Sequence, residues 1–303
     1  MANITASMVK ELREKTEAGM MDCKKALTAT DGDMEQAVVW LREHGIAKAA
    51  KKQGAVAAEG LCSFAVSGNK LVTFELNSQT DFVAQNSKFI ELLDTVGNII
   101  VNSNATNTEE ALKVVSNGKD VETIILEASG VIGEKISLRR VSVLTKTDSQ
   151  SFGGYKHDGG KIVACAIVEG ANENVAKDLA IHIVAANPEY VSKDDIPQDV
   201  IAREREVILN AALNENAQSD KPKPENIIAE RIVPGRLDKQ LKEISLLNQN
   251  YIMADQEQTV EAYLKSIKAT CVKFVRIAVG EGIEKVETDF AAEVAAQAAA
   301  AKN

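Results

Sequence analysis

One structural unit occurs twice along this chain, and that repetition restricts the fold more than any other feature. Gly68-Asn69-Lys70-Leu71-Val72 lies over Gly159-Gly160-Lys161-Ile162-Val163. At the same offset Phe89, Leu92 and Leu93 lie over Ala180, Ile183 and Val184 without a gap. In the first copy, strand-like runs over 61–66 and 70–76 flank the turn residues Ser67-Gly68-Asn69. A helix follows with Phe89, Leu92, Leu93, Val96, Ile99 and Ile100 on one face. The second copy opens near Tyr155, turns at Asp158-Gly159-Gly160 and continues as a strand over 161–168. Leu179, Ala180, Ile183 and Val184 then mark the buried side of a helix. A duplicated hairpin-plus-helix unit predicts an α+β fold whose two-part core is built on antiparallel sheets.

The remaining segments attach to that core. Residues 1–53 predict a small three-helix module and a linker. Thr5 caps a helix carrying Met8, Val9 and Leu12, and Met20, Cys23 and Leu27 recur at helical spacing. Asp33 caps a third helix, with Met34, Ala37, Val38 and Leu41 inward and a stop near Gly45. The lysine-bearing stretch 46–53 reads as a linker to the core, itself helical. The first core subdomain spans 54–145, with a helical region over 108–129 and a strand over 136–144. The second spans 146–198 and 247–281, with a helix over 259–267 and a strand over 271–279. Between its two parts, 199–246 reads as an inserted antiparallel coiled-coil hairpin. Two charged helices carry a narrow seam of Val200, Val207, Ile208, Ile227, Ile228, Ile232 and Leu241, and Pro222 and Pro224 break them apart at the tip. An alanine-rich helix with Phe290 and Val294 is expected over 282–303.

Composition narrows the function. The net charge of -9 argues against direct binding to a nucleic-acid backbone, which draws on clustered Lys and Arg. No apolar run is long enough to span a membrane, and the N-terminus lacks a signal-peptide core. Cys23, Cys62, Cys165 and Cys271 are too scattered for a zinc site or a disulfide framework, so a cytoplasmic protein with reduced thiols, no metal and no cofactor is expected. No P-loop, G-x-S-x-G or H-E-x-x-H motif is present. His157 sits in a glycine-rich turn with no evident nucleophile, which favours a surface contact over a general base. The chain is not expected to be an enzyme.

Thr80-Asp81-Phe82-Val83 is the most unusual local feature, an acid beside a large aromatic between a strand and a helix. Two readings stay open. Phe82 packs as a staple under the coming helix while Asp81 caps it, or an exposed loop presents a wedge and a charge to a partner. The repeat favours the second, because Asn172 and Glu173 occupy the equivalent positions and neither is apolar.

Three segments carry a family resemblance. Leu12-Arg13-Glu14-Lys15-Thr16-Glu17-Ala18-Gly19-Met20-Met21-Asp22-Cys23-Lys24-Lys25-Ala26-Leu27 resembles the N-terminal signature of the elongation factor Ts family. Glu75-Leu76-Asn77-Ser78-Gln79-Thr80-Asp81-Phe82-Val83-Ala84 resembles its second signature, and Gly280-Glu281-Gly282-Ile283-Glu284-Lys285 its C-terminal segment. Glu17 stands where the family usually has glycine, and Gln85 where it often has a basic residue. The resemblance implies a ubiquitin-associated-type N-terminal module and a guanine nucleotide exchange factor that binds elongation factor Tu, both GDP-bound and nucleotide-free. It implies that Thr80, Asp81, Phe82 and Val83 enter the partner near its magnesium ion. Leu12, Met20, Met21, Lys24, His157, Ile252 and Met253 are implied as further contacts, with core of the module as the other reading of Met20. The C-terminal helix is implied to touch the partner as well. The hairpin leaves a second copy of the chain as a candidate partner. The competing function is a passive or chaperone-like partner of elongation factor Tu without exchange activity.

Overall fold

The computed structural model describes residues 4–16, 18–52, 54–254 and 256–284, without the side chain of Lys48. It is an α+β protein, as the sequence patterns predict. The chain forms two compact units, one from Met1–Leu61, Glu75–Val141 and Ala278–Asn303, the other from Cys62–Phe74 and Ser142–Ile277. The position of Glu17 and the helix expected over 282–303, with Phe290 and Val294, lie outside the described residues except for 282–284.

The first unit begins with helices α1 (Ala6–Thr16), α2 (Met20–Ala29) and α3 (Met34–Lys51). Their core is Leu12, Cys23, Ala26, Leu27 and Ala37, with Met8, Val9, Met34 and Leu41 packed around it, while Val38 is partly exposed. Asp33 caps α3 by accepting from the Gln36 N–H at 2.9 Å. Helix α3 does not stop at Gly45. It continues to Lys51, so most of the linker is helical as expected, and Gly45 is where α3 crosses α7 (Val121–Ile132). A Cβ on Gly130 of α7 would lie 2.7 Å from the carbonyl carbon of Gly45, whereas a Cβ on Gly45 would stand 3.7 Å from the Gly130 Cα. The sequence shows a glycine and suggests a helix end. The structure uses it for close helix packing.

That asymmetry gives a prediction. Gly130→Ala must push two backbones apart and should destabilise the protein by about 1–3 kcal/mol. Gly45→Ala meets only ordinary contact and should be neutral or stabilising by up to about 1 kcal/mol through helix propensity. Urea unfolding followed by the fluorescence of Trp40, the single tryptophan, measures both. Equal effects of the two substitutions would disprove the crossing argument.

Strands β1 (Glu59–Ser67), β2 (Lys70–Ser78) and β5 (Ile136–Thr145) form a three-stranded sheet in the order β1-β2-β5. Between β2 and β5 lie α4 (Asp81–Ala84), α5 (Ser87–Val101), α6 (Thr108–Leu112) and α7. Phe89, Leu92, Leu93, Val96 and Ile100 of α5 are buried, and α5 packs on α7. The helical region expected over 108–129 is divided by a tiny hairpin, β3 (Val115–Ser116) and β4 (Lys119–Asp120). Its turn is Asn117-Gly118, both at positive φ (51° and 79°), which suits the tight hairpin turn that favours this dipeptide.

In the second unit, β6 (Gln150–His157) pairs antiparallel with β7 (Ile162–Glu169), and β8 (Thr270–Ala278) completes the order β6-β7-β8. Each three-stranded sheet is therefore a sequence-adjacent hairpin plus one strand that arrives much later. Helix α8 (Glu173–Ala186) buries Leu179, Ala180, Ile183 and Val184, and α12 (Val260–Ser266) adds Val260 and Leu264 to the same core.

The inserted helices are α9 (Gln198–Ala217), then α10 (Glu225–Ile227) and α11 (Val233–Glu243), the last two joined by a π turn over Ile228–Ile232. Pro234 explains the turn. It has no N–H to give the preceding helical turn, and a wider turn relieves the clash. The seam holds Ile208, Leu209, Ala212, Leu213, Ile228, Ile232 and Val233. Val207, expected in it, is exposed. At the tip the Asn216 side chain accepts from the Lys223 N–H at 2.7 Å and donates to the Lys223 carbonyl at 2.9 Å.

Candidate functional site

Phe82 is the most exposed large apolar residue described, at 82%. It is not a staple beneath α5. Instead α4 is a single helical turn set off from α5 by a break at Gln85-Asn86, with Asn86 capping α5. Asp81 is exposed beside it, and Val83 and Ala84 are buried. The cap of α4 is Thr80, not Asp81: the Thr80 hydroxyl accepts from the Val83 N–H at 3.4 Å. Val83 therefore anchors the turn from inside, while Asp81 and Phe82 project.

The turn is held firmly. Glu134 accepts from the Thr80 N–H at 3.0 Å through one carboxylate oxygen and from the Thr80 hydroxyl at 2.7 Å through the other. The Lys135 N–H donates to the Gln79 side-chain oxygen at 3.0 Å, and the Ser78 hydroxyl donates to the Thr80 carbonyl at 2.8 Å.

Five residues upstream lies a group that sequence reasoning did not single out. The Glu75 side chain is fully buried and accepts from Arg139 at 2.9 Å, Arg140 at 2.6 Å, the Gly280 N–H at 2.8 Å and the Asn77 amide at 2.8 Å. Arg140 also pairs with Glu281 at 3.1 Å. Burial alone pushes the Glu75 carboxyl up. The Gly280 N–H, the Asn77 amide and Arg140 outweigh it and hold the group below its ordinary value. Two of the recognised segments thus meet at one carboxylate, through Glu75 and Gly280. The signal in the sequence is an acid within the apolar run Leu71-Val72-Thr73-Phe74-Glu75-Leu76. Such an acid, once buried, needs a cation, and Arg139-Arg140 supplies two.

The other expected contacts fall into two groups. On α2, Met20 and Met21 are 59% and 63% exposed, and Lys24 is exposed on the next turn. Met20 is therefore surface and not the core of the module. Leu12 is the correction in the opposite direction. It is fully buried at the centre of the three helices, so it has no side chain to offer a partner. In the second unit His157 is exposed at the β6–β7 turn, and Ile252 and Met253 are 51% and 46% exposed.

His182, which the sequence did not mark, fixes the Ile252 turn. Its Nδ1 accepts from the Ile252 N–H at 3.4 Å, so Nε2 carries the proton and donates to the Gln249 side-chain oxygen at 3.0 Å. Burial lowers its pKa and favours this neutral form, outweighing the Gln249 contact, which acts in the opposite direction.

Among the described residues no cluster of His, Cys, Asp or Glu is arranged to hold a metal ion. Burial pushes the Cys165 and Cys271 thiols up, which keeps them from acting as nucleophiles. A mostly apolar groove of about 700 Å³ is walled by α3 and residues 127–133, but none of its lining residues belongs to the Thr80–Val83 turn. No described helix is long and apolar enough to cross a membrane. What the molecule displays is exposed apolar side chains on rigid supports, an arrangement suited to binding another protein.

Comparison with known proteins points to the same family that the motifs resemble. The family model described as elongation factor TS matches residues 79–281. A relative named elongation factor Ts, from Acholeplasma laidlawii (strain PG-8A), is 53% identical over 295 residues, covering 97% of this chain and 98% of the relative. With Phe82 exposed on its capped turn, the matched region running from Gln79 to Glu281 and the relative aligned over nearly the whole chain, the chain belongs to the elongation factor Ts family of translation elongation factors.

Proposed function

We propose that this protein is the guanine nucleotide exchange factor of elongation factor Tu. It binds the GDP form and promotes GDP release by disturbing the magnesium and phosphate site. The observation that carries this reading is the exposure of Phe82 beside Asp81 on a turn whose backbone is tied down. No covalent bond is made or broken. The effect is linkage: a factor that binds nucleotide-free partner more tightly than GDP-bound partner must weaken GDP by the same ratio.

One inserted phenylalanine contributes roughly 1.5–3 kcal/mol. The rest of the surface, Met20, Met21 and Lys24 on α2 with His157, Ile252 and Met253, is proposed to hold the complex while the wedge acts. The test is the release rate of labelled GDP from elongation factor Tu with and without this protein. Binding without faster release would establish a passive partner instead.

The helical hairpin is proposed to be separable from exchange. Its apolar seam closes on itself. The base must stay, because Leu246 belongs to the core of the second unit and its N–H donates to the Tyr190 carbonyl at 2.9 Å. Replacing residues 206–235 by a short glycine loop should leave GDP release within about twofold of wild type, since the charged pairs lost contribute roughly 0–1 kcal/mol each. Light scattering on the same variant reads the oligomeric state. A halved mass would assign the hairpin to contact with a second copy. A collapse of release would make it part of the exchange surface.

A further inference from the structure

We infer that Glu134 is a positioning residue for exchange, the group that fixes the direction in which Phe82 projects; this rests on the wedge reading above. Glu134 is half-buried and directs both carboxylate oxygens at one residue, Thr80, at 3.0 and 2.7 Å. That residue's hydroxyl is engaged both as donor and as acceptor. It donates to Glu134 and accepts from Val83, so the carboxylate orients the same oxygen that starts α4. Phe82 lies between the two ends of this chain of bonds and has almost no packing of its own to set its direction.

The support under Glu134 is also built. Helix α7 ends at Gly133 in a left-handed conformation, φ 88°. The Ser129 hydroxyl donates to the Glu134 carbonyl, and the Lys52 ammonium to the Gly133 carbonyl. The Lys135 ammonium donates to the Ala55 carbonyl at 2.9 Å, and Arg42 of α3 pairs with Glu127 of α7. The three-helix module and its connection therefore grip residues 127–135, and those residues hold the wedge turn. A wedge performs work on its partner only if its own base does not yield. Glu134 supplies that rigidity without touching the partner.

The experiment measures labelled GDP release from elongation factor Tu across a range of exchange-factor concentrations, with thermal unfolding on each preparation. Glu134→Ala should lower the release rate at saturation about tenfold and move the half-saturating concentration by less than about twofold. Glu134→Gln keeps one carbonyl acceptor and should return to within about threefold of wild type. In a Phe82→Ala background, Glu134→Ala should add no further loss, because both act through one side chain.

Wild-type release by Glu134→Ala, or losses that multiply with Phe82→Ala, would overturn the inference while leaving the wedge standing. Wild-type release by Phe82→Ala alone would overturn the wedge and the inference together. If Glu134→Ala does not fold, Thr80→Val against Thr80→Ser decides. Serine keeps both hydroxyl bonds and valine neither, and equal rates would refute the role.

Discussion

Replacing Asp81 and Phe82 together by alanine will leave the fold intact and slow GDP release from elongation factor Tu by about ten- to a hundredfold. Both side chains are exposed, so their removal uncovers no core. Alanine is the best helix former, and the cap of α4 is Thr80, which the double substitution leaves in place. Surface changes of this kind stay within about 0.5 kcal/mol. On the proposed reading the loss of function follows from what Phe82 would gain on entering the partner, and the range given is one phenylalanine's burial expressed as a rate. Melting temperature and release rate on the same preparation test both halves. A variant that no longer folds would return Phe82 to the core. One that folds and exchanges normally would eliminate the wedge.

Glu75→Gln should be the most destabilising single change proposed here. The carboxylate is fully buried against two guanidinium groups that are themselves mostly covered. The amide removes the negative charge and leaves Arg139 and Arg140 facing a neutral group. Breaking such a pair costs about 3–5 kcal/mol, and the partial exposure of the arginines points to the lower end.

The acid dependence follows from the sign of the shift. The folded-state pKa of Glu75 is lowered, so its contribution is fully present above the unfolded value of 4.5 and is lost as pH falls through the folded value. The gap between wild type and Glu75→Gln should be wide at pH 7 and close progressively below pH 4.5. Urea unfolding read by Trp40, which lies in the same unit, follows this directly. A gap that does not change between pH 7 and strong acid would mean that the ionised carboxylate is not what stabilises this region.

Local chemistry carried much of the architecture in the sequence. Period-two and period-3.6 patterns, together with turn residues at 67–69 and 158–160, mark both hairpins and the helices that follow them, because those signals act between residues close along the chain. The family motifs around Met20, Thr80 and Gly280 are legible for the same reason. Missed local signals were Asn117-Gly118, which splits the region 108–129, and Pro234, which forces a π turn.

What only the tertiary structure decided involves partners far apart in sequence. Gly45 reads as a helix stop until Gly130 is placed against it. Leu12 and Met20 both read as apolar helix positions, and only the packing of three helices sends one inside and the other out. Phe82 could have been core or wedge on residue chemistry alone. Its exposure was decided by Glu134 and Thr80, more than fifty positions apart, which fix the turn in space. Glu75 and Gly280 are 205 positions apart, and no local pattern could have paired them. Periodicity specifies which face of an element is apolar, but burial depends on what the rest of the chain brings to that face.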